Sequence, residues 1–196
     1  MNRLLILGYH YIRDPKSVKY SGIHPLAPED FLEHLARLKK VAPPLTPQEA
    51  EVYLDGTVEL EKPASFLTFD DGLYKDHGEI TVPLLEANGL RGAFFICSQP
   101  YIEKKALTVH KIHWLRAHMP PSEFADTLLD LLPAVYKQWP HHLELDLQQK
   151  IQNTYQFDTY EIAVLKFLIN FVVPRGELDQ ATGIMLNAFG LDEKTF

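Results

Sequence analysis

The first hundred residues contain three short, continuous apolar runs, and the segments between them repeat apolar residues every three or four positions. Continuous runs are typical of β-strands that are covered on both faces, as in a parallel sheet. We therefore predict strands at 4–7, 65–69 and 92–97.

Helices are predicted between these strands. A helix that begins at Pro28 places its apolar residues on one face, and Thr46 and Glu49 have the spacing of a capping box at the start of a second helix. A third helix, over 80–88, ends before Gly89. The order strand, helices, strand, helix, strand is typical of an α/β fold with crossover connections.

The character of the sequence changes after Pro100, where no further strand is evident. Helices are predicted at 108–118, 122–139, 143–153, 158–173 and 177–189. Three parallel strands cannot close a barrel, and they leave two exposed sheet edges. Either these helices cover the sheet, another chain completes it by self-association, or the chain is a fragment that lacks a C-terminal half. We expect a fragment.

Charge and cysteine content narrow the classes of partner and compartment. The 196 residues carry a formal net charge of −7, which argues against a nucleic-acid partner, and the single cysteine, Cys97, excludes a disulfide framework. The apolar stretch at 4–7 is too short for a signal peptide, and the region 162–173 is too short to span a bilayer. We expect a soluble, cytoplasmic protein without a membrane span.

The segment Thr68-Phe69-Asp70-Asp71-Gly72 places two adjacent carboxylates at the end of a predicted buried strand. In parallel α/β folds, ligands bind at the C-terminal ends of strands. Adjacent residues of an extended chain point in different directions, so one carboxylate can ligate a metal while the other holds the water that the metal polarises. The alternative is a simple turn in which Asp70 caps the next helix.

This segment, together with 83–90 and the Ala-Phe-Phe at 93–95, resembles the polysaccharide deacetylase family (carbohydrate esterase family four), whose first motif is T-F-D-D-G. The Gly-Tyr-His-Tyr-Ile at 8–12 resembles a strand of many members, so the resemblance covers about residues 4–97. It implies an α/β fold, a partial (β/α) barrel of the deacetylase type with a long helical insertion after the third strand. Residues 1–100 would form the N-terminal part of this barrel, and residues 101–196 a helical insertion or subdomain.

The resemblance also implies roles for three residues. Asp70 matches the general base that takes a proton from a metal-bound water, and Asp71 matches a ligand of that metal, a divalent cation expected to be Zn²⁺. His10, at the end of the first strand, would face the same mouth as a substrate-pocket residue; a core histidine is the alternative. The family's histidine ligands, H-[S/T]-x-x-H, do not occur, and His110 and His113 fit the start of an amphipathic helix better than a zinc site.

The resemblance thus implies a metal-dependent hydrolase that removes N-acetyl groups from an amino sugar or polysaccharide. Its partner would be an N-acetylated sugar or glycan. The chain would be truncated before the histidine motif and inactive unless completed. The alternative function is a non-catalytic module on a deacetylase scaffold, which binds a sugar or assembles with another chain.

Overall fold

The computed structural model describes residues 3–20 and 22–191. These residues divide into two units. The first comprises His24–Ser98 together with the chain up to Val18, and the second comprises Lys19–Ile23 together with the chain from Gln99 onwards.

A three-stranded parallel sheet organises the first unit. Its strands are β1 (Leu4–Tyr9), β2 (Ala64–Phe69) and β3 (Ala93–Phe94), in the spatial order β1-β2-β3. The connections carry a 3₁₀ turn and four helical segments: Pro15–Ser17, α1 (Pro28–Val41), α2 (Pro47–Leu54), a π-helix (Tyr74–Thr81) and α3 (Val82–Ala87). The predicted α/β pattern is thus confirmed for this unit, whereas the barrel stays a prediction.

Only the middle strand is enclosed as its sequence predicts. All six residues of β2 are buried, and its Leu67 and Phe69 belong to a core cluster with residues of α1. The backbone of β2 pairs with β1 along one edge and with Pro44 and β3 along the other. In β1, by contrast, Leu5 and Ile6 are half-exposed, so the expectation of cover on both faces is wrong there. The strand predicted over 92–97 is also shorter than expected, since only Ala93 and Phe94 pair with β2.

An aromatic layer fills the core beneath the strand ends. Tyr9, Phe69 and Phe94 occupy neighbouring register positions on β1, β2 and β3, with ring centroids 5.5 and 4.7 Å apart. Phe31 of α1 meets the Tyr9 ring edge-on at 5.1 Å. Burying such a side chain stabilises the fold by about 1.5–3 kcal/mol. The layer therefore fixes the three points at which the chain leaves the sheet.

The capping box at the start of α2 is confirmed, since the Glu49 carboxylate accepts from the Thr46 backbone N–H at 2.8 Å. The helix predicted over 80–88 instead begins earlier, as the π-helix. Pro83 has no N–H to donate to the carbonyl of Glu79, which favours a shift of the hydrogen-bond ladder to the wider π spacing. Gly89 follows α3 with φ 65°, a conformation that suits glycine at a helix end.

Within the described residues of the second unit, the regular secondary structure is helical. It contains α4 (Gln99–Glu103), α5 (Thr108–His118), α6 (Pro121–Leu131), α7 (Ala134–Gln138) with a 3₁₀ turn (Trp139–His142), α8 (Leu145–Thr154), α9 (Tyr160–Phe167) extended by a π-helix (Leu168–Val172), and α10 (Arg175–Ala188). The single helix predicted over 122–139 is wrong. Leu132 is extended, with ψ 157°, because a proline follows it and disfavours the helical conformation.

One buried cation stabilises the packing of α5 against α10. Lys111 is fully buried, and its ammonium group lies 2.7 Å from the Asp179 carboxylate. The Thr108 hydroxyl donates to the same carboxylate at 2.8 Å. Within the described part of the chain, the model contains no helix of the length and apolarity that a bilayer crossing requires.

Candidate active site

His10 and Asp70 lie side by side at the C-terminal edge of the sheet. Each follows directly on a residue of the aromatic layer, and the Asp70 N–H continues the ladder by donating to the carbonyl of Tyr9 at 2.9 Å. The His10 Nε2 atom lies 3.7 Å from Asp70 Oδ2. Their side chains are 55% and 40% exposed, so both are open to solvent. The structure thus brings together two of the three residues singled out from the sequence.

Asp71, the third of these residues, turns the chain away from the sheet. It has φ 75°, in the left-handed region, and Gly72 continues the turn with φ 69°. This conformation costs a non-glycine residue about 1–2 kcal/mol, although aspartate tolerates it better than most. A Cβ atom on Gly72 would lie 3.0 Å from Ile96 Cγ2, so that position also lacks room. Backbone strain of this kind clusters at functional sites.

The π-helix brings two further polar residues beneath this turn. Asp76 is fully buried, and its carboxylate accepts from both Nε (2.8 Å) and a terminal nitrogen of Arg13. Its neighbour His77 is 4% exposed and contacts the backbone carbonyl of Asp70 through Nε2 at 2.8 Å. The hydrogen bond that Arg13 donates to the Asp76 carboxylate raises the pKa of Arg13, which stays a cation.

Tyr11 adds a hydroxyl group to the surroundings of Asp71. Burial raises the pKa of Tyr11, and the negative charge of Asp71 raises it further. The guanidinium of Arg13 lies over the Tyr11 ring, 5.2 Å from its centroid. Tyr11 therefore stays protonated at physiological pH and retains a hydrogen to donate.

These residues do not by themselves make a zinc site. Within 3–20 and 22–191, no group of three or more His, Cys, Asp or Glu side chains is arranged to hold a metal ion. A catalytic zinc takes three protein ligands. The pair His110 and His113, both on α5, is likewise not part of such a group. The described residues supply at most part of a ligand set.

Comparisons with known proteins give partial structural likenesses. No protein-family model matches the sequence, and no curated protein matches it either. Among solved structures, the chain is similar to IcaB from Ammonifex degensii, at 29% identity and a TM-score of 0.43, over 51% of this chain and 40% of that one. It is also similar to a de-N-acetylase from Aggregatibacter actinomycetemcomitans, at 23% identity and a TM-score of 0.39, over 46% and 36% of the two chains. A third likeness, to the Streptococcus pyogenes deacetylase PplD in complex with acetate, has 16% identity and a TM-score of 0.43 over 84% and 80%. The matched part is therefore less than half the length of the first two proteins.

No role is predicted from the sequence for four residues of this neighbourhood: Tyr11, Arg13, Asp76 and His77. Arg13 and Asp76 are 63 positions apart, and no local pattern links them. The Lys-Asp-His at 75–77 lies in a segment that reads as a loop, where such residues are ordinarily exposed, so no pattern in the sequence indicates that Asp76 and His77 are buried. Polar residues of this kind become buried only when they find partners.

Proposed function

We propose that this chain carries the carboxylate part of a carbohydrate N-deacetylase, a hydrolase that removes N-acetyl groups from an amino sugar or polysaccharide. One observation supports this above all others. Asp70 and Asp71, within the deacetylase-like T-F-D-D-G segment, leave the end of the enclosed middle strand through a left-handed turn, and His10 lies beside Asp70.

Hydrolysis of an acetamide requires a base that removes a proton from the attacking water and a group that stabilises the oxyanion. On this proposal Asp70 is the base, because its carboxylate is accessible to water at the strand end. His10 lies near enough to limit the orientation of that carboxylate. The substrate would be an N-acetylated sugar or glycan.

A divalent cation, Zn²⁺ by the family resemblance, would supply Lewis-acid chemistry, with Asp71 as one of its ligands. The described residues fall short of the three ligands that such an ion takes. The remaining ligands would then come from polypeptide outside the described residues or from a second copy of the chain.

The incomplete ligand set also favours a second candidate, a non-catalytic module that binds a sugar or assembles with another chain. In such a module, the turn that carries Asp70 and Asp71 would have a structural role only. It would bind an N-acetylated oligosaccharide without releasing acetate, and substitution of Asp70 would leave that binding largely intact.

An acetate-release assay distinguishes the two. The 196-residue chain, and any longer form present in its source cells, are incubated with an oligosaccharide of N-acetylglucosamine and Zn²⁺. Loss of a general base costs about 10²–10⁴-fold in rate, so we expect Asp70→Asn to abolish most of the activity of the competent form. Glu33→Gln, which alters an exposed carboxylate on α1, is the matched control and should retain full activity. Acetate release that is unchanged in Asp70→Asn, or absent from every form, refutes the enzymatic proposal.

A further inference from the structure

His77 is buried directly beneath the turn that carries the two carboxylates. We propose that it is a positioning residue, which holds the backbone carbonyl of Asp70 and so sets the directions in which Asp70 and Asp71 project. The consequence for catalysis rests on the proposed deacetylase function, whereas the structural role does not.

The hydrogen bond fixes the tautomer of the His77 ring. A carbonyl oxygen only accepts, so Nε2 carries the proton and donates to the Asp70 carbonyl at 2.8 Å. On the other side of the ring, Nδ1 lies 3.5 Å from Thr81 Oγ1, whose own hydrogen is donated to the Asp76 carbonyl at 2.8 Å. Of these two contacts of the imidazole, the shorter is therefore the hydrogen bond from Nε2 to the Asp70 carbonyl.

The Asp70 carbonyl needs a partner because the sheet ends one residue earlier. The last ladder bond from β3 goes to the carbonyl of Phe69, which accepts from the Phe95 N–H at 2.7 Å. Beyond it the chain enters the left-handed conformation of Asp71 and Gly72. The contact is part-buried, and leaving a carbonyl unpaired costs at most about 1–3 kcal/mol where water is excluded, comparable to the cost of the left-handed turn itself. The imidazole therefore stabilises the backbone at the residue that directly precedes the left-handed turn.

His77 is itself held from two sides. Its ring meets the edges of Phe69 and Phe94, each at 5.7 Å between centroids and nearly perpendicular. The preceding residue, Asp76, is tied to Arg13 through the buried ion pair. Two consecutive residues of the π-helix are thus fixed to two different parts of the unit, which restricts both the backbone and the ring of His77.

The first test needs no activity. In an NMR spectrum that correlates ring nitrogens with ring protons, His77 should appear as the Nε2–H tautomer. His118 provides an internal control, because its Nδ1 atom lies 2.8 Å from the Trp114 carbonyl and so requires the opposite tautomer. Observation of the Nδ1–H tautomer at His77 overturns the proposal without any variant being made.

Two variants then separate the hydrogen bond from simple packing. His77→Leu keeps an apolar side chain against Phe69 but removes the donor, whereas His77→Gln retains an N–H at a similar reach. We expect the backbone resonances of Asp70, Asp71 and Gly72 to move in His77→Leu and to return towards their wild-type positions in His77→Gln. Resonances that stay in place in His77→Leu, or that are displaced equally in both variants, contradict the role.

The catalytic arm uses the form of the protein that releases acetate. Loss of a group that orients a reacting residue typically costs about 10–100-fold, so kcat should fall by that factor in His77→Leu, with KM changed less than about twofold. His77→Gln should recover to within about threefold of wild type. If the wild type releases no acetate, the proposed function fails and the NMR results alone decide the role of His77. If the wild type is active and His77→Leu is equally active, this inference fails and the proposed function stands.

Discussion

The burial of the Arg13–Asp76 ion pair predicts how far the free energy of unfolding falls when either residue is substituted. Asp76 is 0% exposed, whereas the Arg13 side chain is 26% exposed. Removing the arginine leaves a fully buried carboxylate without its cation, but removing the carboxylate leaves a guanidinium that water still reaches. We therefore expect Arg13→Met to destabilise the first unit more than Asp76→Asn does.

The magnitude for Arg13→Met can be bounded. Breaking a buried pair by removing one partner costs about 3–5 kcal/mol in proteins generally. Because water reaches the arginine side of the pair, we expect about 3 kcal/mol for Arg13→Met. For Asp76→Asn, in which one acceptor oxygen remains, we expect about 1.5 kcal/mol.

The assay must report on the first unit. Both tryptophans of the chain lie in the second unit, so their fluorescence does not observe Asp76 directly. Native-state hydrogen exchange, read by mass spectrometry on peptides covering 74–87, measures the opening free energy of this helical segment. Arg37→Met, an identical substitution at an exposed position of α1, is the matched control and should cost less than about 0.5 kcal/mol.

The double variant completes the cycle. Asp76→Asn removes the charge that Arg13→Met leaves uncompensated. The loss of opening free energy in the double variant should therefore be smaller, by about 1–2 kcal/mol, than the sum of the losses in the two single variants. Additive costs would refute the reasoning, as would a cost below about 1 kcal/mol for Arg13→Met or a larger cost for Asp76→Asn.

Three further predictions concern other parts of the chain. Thr46→Ala removes the cap of α2 and should cost about 1 kcal/mol, measured by hydrogen exchange in that helix. Gly92→Ala should destabilise the first unit by about 1–3 kcal/mol in the same measurement, because the added Cβ would lie 2.6 Å from the Phe69 ring. In the second unit, burial raises the pKa of Asp179, but hydrogen bonds from Lys111 and Thr108 outweigh it and hold the pKa below the ordinary value of 3.8. A lowered folded-state pKa stabilises the unit above the unfolded value, and this contribution is lost as the pH falls through the folded value. Urea midpoints from tryptophan fluorescence should therefore fall more between about pH 5 and about pH 3 in the wild type than in Asp179→Asn.

Features that depend on local chemistry were predictable from the sequence. The capping box of Thr46 and Glu49 needs only two side chains three residues apart, and the structure contains it. Gly89 follows the end of α3 as predicted, because the left-handed conformation at that position favours glycine whatever its distant neighbours are. Asp70 and His10 were placed at one edge because the ends of parallel strands meet there.

Features that depend on distant partners were not predictable. The apolar run of β1 does not reveal that Leu5 and Ile6 lie half-exposed, since periodicity says nothing of what covers a strand. The apolar pattern over 122–139 favours one continuous helix, but Pro133 disfavours a helical conformation at Leu132, and the helix ends before it. The burial of His77 depends on the Asp70 carbonyl and the Phe69 ring, and no local pattern links His77 to either of them.

On the proposed function, the turn after β2 supplies the carboxylates of a cation-dependent site. This role of the turn is tested most directly by titrating the isotope-labelled chain with Mn²⁺, which favours carboxylate and water ligands and broadens the NMR signals of nearby nuclei. We expect the signals of Asp70, Asp71 and Gly72 to broaden at the lowest Mn²⁺ concentration, and we expect Asp71→Asn to remove the effect. Broadening that begins at other carboxylates, while these three residues stay sharp or respond equally in Asp71→Asn, would contradict it.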